Sequence, residues 1–287
     1  MNPTTLCGTF YPSFGADLLT TFLAAVLGLA AAYFIYRLSI RQIREDRLKY
    51  VAGLIEKIEP SLRRQADYCN EYADLISAQP FTNNMLRLEA NRDPKRLADK
   101  VDQEGVYHAY LWKYKRNPET YNAFQELYGY IDYADYLVDD LIKTNERVQT
   151  FTWERKKSYQ LLFEKTRELM QSLSLIPDLV ASQPALIAQC THLLETFAAQ
   201  QPGGENIVLS YSMVVQPLQQ YIVEHAQQHP KVTELLFLTQ DLFNEYNGIE
   251  LSATHNAIDY REYAASFLKA AEELLSSSEN LREDFKL

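Results

Sequence analysis

His225 and His229 stand four residues apart, the spacing at which one face of a helix offers two imidazoles to a metal ion. Pro230 follows directly and pushes His229 out of helical geometry. Ala226 occupies the place of the glutamate in a zinc-protease H-E-x-x-H. The sequence therefore predicts no metal site, with this pair as its nearest approach to one. Cys190 and His192 are two apart, so on a helix they diverge, and a nucleophile and its base usually come from separate segments. Cys190 reads as a small buried hydrophobe. Asp132, Asp135, Asp139 and Asp140 have the residue type to ligate Mg²⁺ or a diphosphate. At 100° per residue they fall away from the apolar stripe Phe124, Ile131 and Val138, on the face expected to meet solvent.

The densest aromatic feature lies just before them. Tyrosines 107, 110, 114, 121, 128, 130, 133 and 136 fall within thirty residues, beside Trp112, Lys113, Lys115 and Arg116. Rings among basic residues can stack on single-stranded nucleic acid, anchor a protein interface or simply pack in a core. Beyond residue 64 the chain carries 20 basic and 33 acidic residues, a net −13 that disfavours binding to phosphates. Tyr110, Trp112, Tyr114 and Arg116 are accordingly the candidates for docking a protein partner, and the remaining rings are expected in the core. No G-x-x-x-x-G-K-[ST], G-x-G-x-x-G, G-x-S-x-G, paired C-x-x-C or doubled E-x-x-H is present, and neither is the Arg-x₄₋₆-His of HEPN-type helical ribonucleases. No catalytic residue and no cofactor are assigned.

The elements that must position these residues are helices. Only 9 of 287 residues are glycine, about 3% against about 7% in an average protein, which disfavours phosphate loops and tight hairpins. At 47% hydrophobic residues the chain can build a core, so disorder is excluded. Residues 18–36 run for nineteen positions without a charge; a helix of that length reaches roughly 28 Å, close to the hydrocarbon thickness of a bilayer. The preceding seventeen residues hold no Lys or Arg, and Tyr33 to Tyr36 continue the apolar run past the Ala30–Ala32 cleavage candidate, so an anchor is favoured over a cleaved signal. Arg37, Arg41, Arg44, Arg47 and Lys49 follow at once, placing the C-terminal side in the cytoplasm and offering cations to lipid headgroups. Ala24, Gly28 and Ala32 recur every four residues and give the span a face on which a second copy could pack closely. Cys7 would lie outside, apart from Cys69 and Cys190 inside.

Past the span, Val51, Leu54, Ile55, Ile58 and Leu62 hold helical spacing, predicting a basic stalk helix over 37–59. Asp93-Pro94 and Asn117-Pro118 read as helix starts, Gly105 and Asn247-Gly248 as stops. The stripes 124–141 and 162–176 predict a helical hairpin turning near 144–152. Breaks are expected at 177–184 and 201–204, and a last helix over 256–285 with Ile258, Tyr263, Phe267, Ala271, Leu274 and Leu281 inward. Residues 207–215 and 107–114 could be strand or helix, helix being preferred for the first.

The expected architecture is all-α: an external tail over 1–17, a transmembrane helix over 18–36, the stalk, and a cytoplasmic multi-helix bundle over 60–287 with a subdivision near 177–184. The expected function is that of an adaptor or regulatory subunit of the cell (inner) membrane, homo-oligomeric, which docks a cytoplasmic protein partner. Two alternatives stand beside it: a defence or toxin effector whose oligomerised spans disturb the bilayer, and a membrane-tethered helical enzyme.

Overall fold

The computed structural model describes residues 12–89, 102–114, 118–200 and 206–283. Every regular element among the described residues is helical: α1 (Pro12–Ala78), α2 (Gln103–Tyr114), α3 (Pro118–Ser172), a 3₁₀ turn (Leu173–Leu175), α4 (Pro177–Ser182), α5 (Pro184–Gln200), α6 (Ile207–Ser210), a π turn (Tyr211–Val215), α7 (Gln216–His225) and α8 (Pro230–Glu283). Prolines open α3, α4, α5 and α8, where a missing N–H removes nothing from the helix. The 207–215 and 107–114 segments are both helical. Asn206 caps α6, its Oδ1 accepting from the N–H groups of Val208 and Leu209.

Three helices are longer than the sequence spacing predicts. The helix carrying the apolar span does not stop at Glu59 but continues through Pro60 to Ala78. The lost backbone bond at Pro60 costs about 3 kcal/mol, and the buried stripe Ile58, Leu62, Ala66, Cys69, Ala73 and Ile76 offsets it. The expected hairpin at 144–152 is one uninterrupted α3. Its inward stripe runs straight through the expected turn as Leu141, Asn145, Val148, Lys156, Tyr159 and Phe163. Two polar residues in that stripe, Asn145 and Lys156, hide the periodicity from a count of apolar positions.

Asn247-Gly248 likewise does not end a helix, because α8 passes through it. A Cβ at Gly248 would collide with the Arg155 guanidinium. Glycine there makes room for Arg155 to pair with Glu245 at 3.1 Å, so it serves close packing rather than a left-handed cap. Gly105 is no stop either; it lies in the first turn of α2, where its N–H donates to Asp102 Oδ1 at 3.1 Å. The expected helix start at Asp93-Pro94 and the break at 201–204 lie outside the described residues, as does Asn117.

The chain divides into two compact units, each assembled from distant stretches. The first comprises Met1–Glu56, Asp99–Gly129 and Leu275–Leu287; the second comprises Lys57–Ala98 and Tyr130–Leu274. The break at 177–184 falls inside the second unit. That unit's core gathers Tyr159, Phe163, Leu173, Leu179, Leu186, Cys190, Val214, Leu218, Leu235 and Leu242. In the π turn the Gln216 N–H bonds Tyr211 O, just before Pro217, which lacks an N–H. Tyr211 stacks on Tyr246 at 3.9 Å, and Tyr246 on Phe81 at 4.5 Å.

Burial sets the alkaline behaviour of this unit. It pushes the Cys69 thiol up to about 11, Cys190 up to about 12, and Tyr246 and Tyr263 up to about 12. Tyr159 and Tyr260 are raised as well, again chiefly by burial. The unfolded chain ionises such thiols from about pH 8.5 and tyrosines from about pH 10. Their stabilisation is therefore complete below those values and is lost as pH rises toward the folded ones. Tyr72 and Tyr211 are raised by burial too, so Lys156, lowered by desolvation, opposes this trend as one group against eight. The urea midpoint should fall steeply between about pH 9 and pH 11, the two thiols alone contributing on the order of a few kcal/mol. A flat midpoint over that range would contradict the burial of these groups.

Candidate functional site

The first unit holds most of the residues that the sequence singles out. Asp102 starts α2, and its carboxylate also meets the Arg47 guanidinium of α1 at 3.3 Å. Gly105 admits that pair, since a Cβ there would strike both partners. So fixed, α2 presents Trp112 to Arg41 and Arg44, each guanidinium 5.9 Å from the ring centroid. Arg37 lies over its own neighbour Tyr33 at 5.7 Å. Of the five cations expected at the headgroups, Arg37, Arg41 and Arg44 thus face aromatic rings, Arg41 is also paired with Glu45 at 2.9 Å, Arg47 is paired with Asp102, and Lys49 is exposed.

The tyrosine cluster divides between surface and core. Tyr110 is only 4% exposed and packs edge-on against Phe124 at 5.7 Å, so its ring belongs to the core and is not presented to a partner. Tyr107 meets the same phenylalanine at 5.0 Å and Tyr128 meets it at 4.7 Å. Trp112 is half-buried. Arg116 lies outside the described residues, and so does the side chain of Tyr114. The arrangement is an aromatic core with one tryptophan held at its edge by two arginines. A helix advances 1.5 Å per residue, so Arg41 and Arg44 stand roughly 8–12 Å beyond the last residue of the apolar span, about the depth of a headgroup layer.

In the second unit the carboxylate cluster is less solvated than its spacing suggests. Asp132 is exposed, but Asp135, Asp139 and Asp140 are half-buried, and Asp140 accepts a hydrogen bond from Tyr263. Tyr263 also shares a hydrogen bond with Thr144 at 3.0 Å. No group of His, Cys, Asp and Glu among the described residues is arranged to hold a metal. His225 sits at the exposed end of α7 against Tyr221. His229 Nδ1 accepts from the Lys231 N–H at 3.1 Å, a capping role at the start of α8. Cys190 is fully buried, as its reading as a small hydrophobe requires.

One residue that spacing did not single out stands apart chemically. Lys156 is 8% exposed, lines a cavity of about 460 Å³, and has no carboxylate within ion-pair distance among the described residues. It falls on the inward stripe of α3 at helical spacing between Val148 and Tyr159, a place that a count of apolar positions passes over. Comparison with known protein families, characterised proteins and solved structures gives no match.

Proposed function

We propose that the chain is a single-pass, membrane-anchored helical interaction protein, an adaptor or regulatory subunit whose folded part lies in the cytoplasm and docks a protein partner there. The observation that carries the reading is the apolar start of α1. Residues 18–36 are exposed at every position on a helix long and apolar enough to cross a membrane. A soluble chain does not leave so large an apolar surface in water, and a helix satisfies its own backbone groups inside lipid. Trp112, held between Arg41 and Arg44, supports the same reading, because tryptophan and arginine suit the interfacial layer. Thr20 and Thr21 donate their hydroxyls back to Asp17 O, which takes up the donors of the span's two threonines and leaves them ill suited to line a pore. That weighs against the bilayer-disturbing effector.

The native cysteines test anchoring and direction together. A membrane-impermeant maleimide applied to intact cells should label Cys7, while buried Cys69 and Cys190 stay unmodified until the protein is denatured. Labelling of Cys7 only after permeabilisation would reverse the orientation, and extraction of the chain by alkaline carbonate would remove the anchor.

Self-association through Ala24, Gly28 and Ala32 has its own test. Nothing lies within 4 Å of a Cβ built at Gly28, so Gly28→Leu should leave the monomer unaltered. If that face packs against a second copy, the substitution should abolish crosslinked dimers in membranes. Dimers at wild-type yield would end the idea.

A further inference from the structure

Lys156 lies on α3 with its ammonium aimed at the turn that follows α1. It donates to Thr82 O at 2.9 Å and to Asn83 Oδ1 at 3.1 Å. An ammonium has three donors, so one remains. Both partners are neutral oxygens, and burying a cation without a counter-charge is costly. Desolvation lowers its pKa in keeping with that. Pinning a turn does not explain the charge, since a neutral amide would donate to the same two oxygens.

The cavity beside it offers a place for the missing anion. Its volume, about 460 Å³, is that of a small-molecule site. Ile76, Val148, Ile249 and Ala253 give it apolar walls, with the rings of Tyr72 and Trp153 alongside. Gln149 and Asn256 are neutral hydrogen-bonding groups in the same lining, which holds no Asp or Glu and only one cation. The turn is well held: Phe81 stacks on Tyr246, Tyr72 OH donates to Asn84 O at 3.4 Å, and Asn84 Nδ2 donates to Thr82 Oγ1 at 2.9 Å. Trp153 and Met85, at 60% and 80%, are exposed members of the lining, and Thr82, Asn83 and Thr150 are exposed beside them.

We propose that this cavity binds a small organic monoanion, a carboxylate on an aromatic or branched-aliphatic body, with the Lys156 ammonium as its counter-charge. A single lysine without arginine or metal partners suits one negative charge rather than the two of a phosphate monoester. The apolar walls call for a hydrophobic body, and the amides for one or two further polar groups. The assignment does not rest on membrane anchoring, because every residue in it belongs to the second unit.

The test uses the full chain in a nonionic detergent, all variants carrying Trp112→Phe so that Trp153 is the sole fluorescent tryptophan. Two probes of equal shape are titrated, 4-phenylbutyrate and its neutral amide. A charge-assisted hydrogen bond contributes roughly 1.5–3 kcal/mol, so the acid should bind saturably and at least about tenfold more tightly than the amide. Lys156→Met should erase that preference, whereas Asn83→Ala, which removes a contact from the turn but leaves the charge, should preserve it. Equal affinity of acid and amide for the parent protein overturns the proposal. So does an acid preference that survives Lys156→Met, or the absence of saturable binding of either probe up to on the order of 10 mM.

Discussion

Phe267→Ala should lower the unfolding free energy by about 3–5 kcal/mol, a large part of the 5–15 kcal/mol that holds a typical protein folded. Phe267 is fully buried on α8, on a stripe that continues through Ala257, Tyr260, Ala264, Ala271 and Leu274. The alanines of that stripe are small and cannot expand to fill a vacated ring, so the cavity term adds to the lost transfer energy. Ile258→Ala is the control. Ile258 is 49% exposed, so its truncation should cost well under 1 kcal/mol. Urea unfolding of both variants in detergent, with m-values compared, decides. A similar loss for the two would mean that the register of α8 is misassigned.

The same pair of residues illustrates how far the sequence could be read. Periodicity placed Ile258 inward beside Phe267, but they are nine apart, and the stripe that α8 buries passes through 257 and 260 instead. Tyr260 takes the inward place because its hydroxyl has a partner waiting: it donates to Asn145 Oδ1 at 3.1 Å, and its ring meets Tyr72 edge-on at 4.9 Å. A scale that rewards only apolar residues cannot anticipate a tyrosine and an asparagine that bury each other. Lys156 is hidden for the same reason, since in sequence it is the middle of Arg155-Lys156-Lys157 and looks like a solvated run. Helical class, the helix start at Pro118 and the apolar span depend on local chemistry and were legible. Gly105 and Gly248 were misleading because their use is to admit an arginine from elsewhere in the chain, which is tertiary information.

Leu27→Arg should cut membrane retention from near completeness to about half or less, because it strikes the midpoint of the exposed span. Nine residues between 18 and 36 are Leu, Ile, Phe or Val. At about 0.3–0.6 kcal/mol each they favour insertion by roughly 3–5 kcal/mol. A central arginine costs about 2.5–3.5 kcal/mol and also removes one leucine, so the balance falls close to zero. Leu18→Arg is the matched control: at the end of the span the side chain can extend its guanidinium to the headgroups, and retention should stay near wild type. The comparison separates lipid insertion from mere hydrophobic adhesion, in which both arginines would weaken association alike. Carbonate-resistant membrane fractions of the two variants give the answer. Equal retention of Leu27→Arg and Leu18→Arg would show that the exposed helix is covered by protein rather than by lipid.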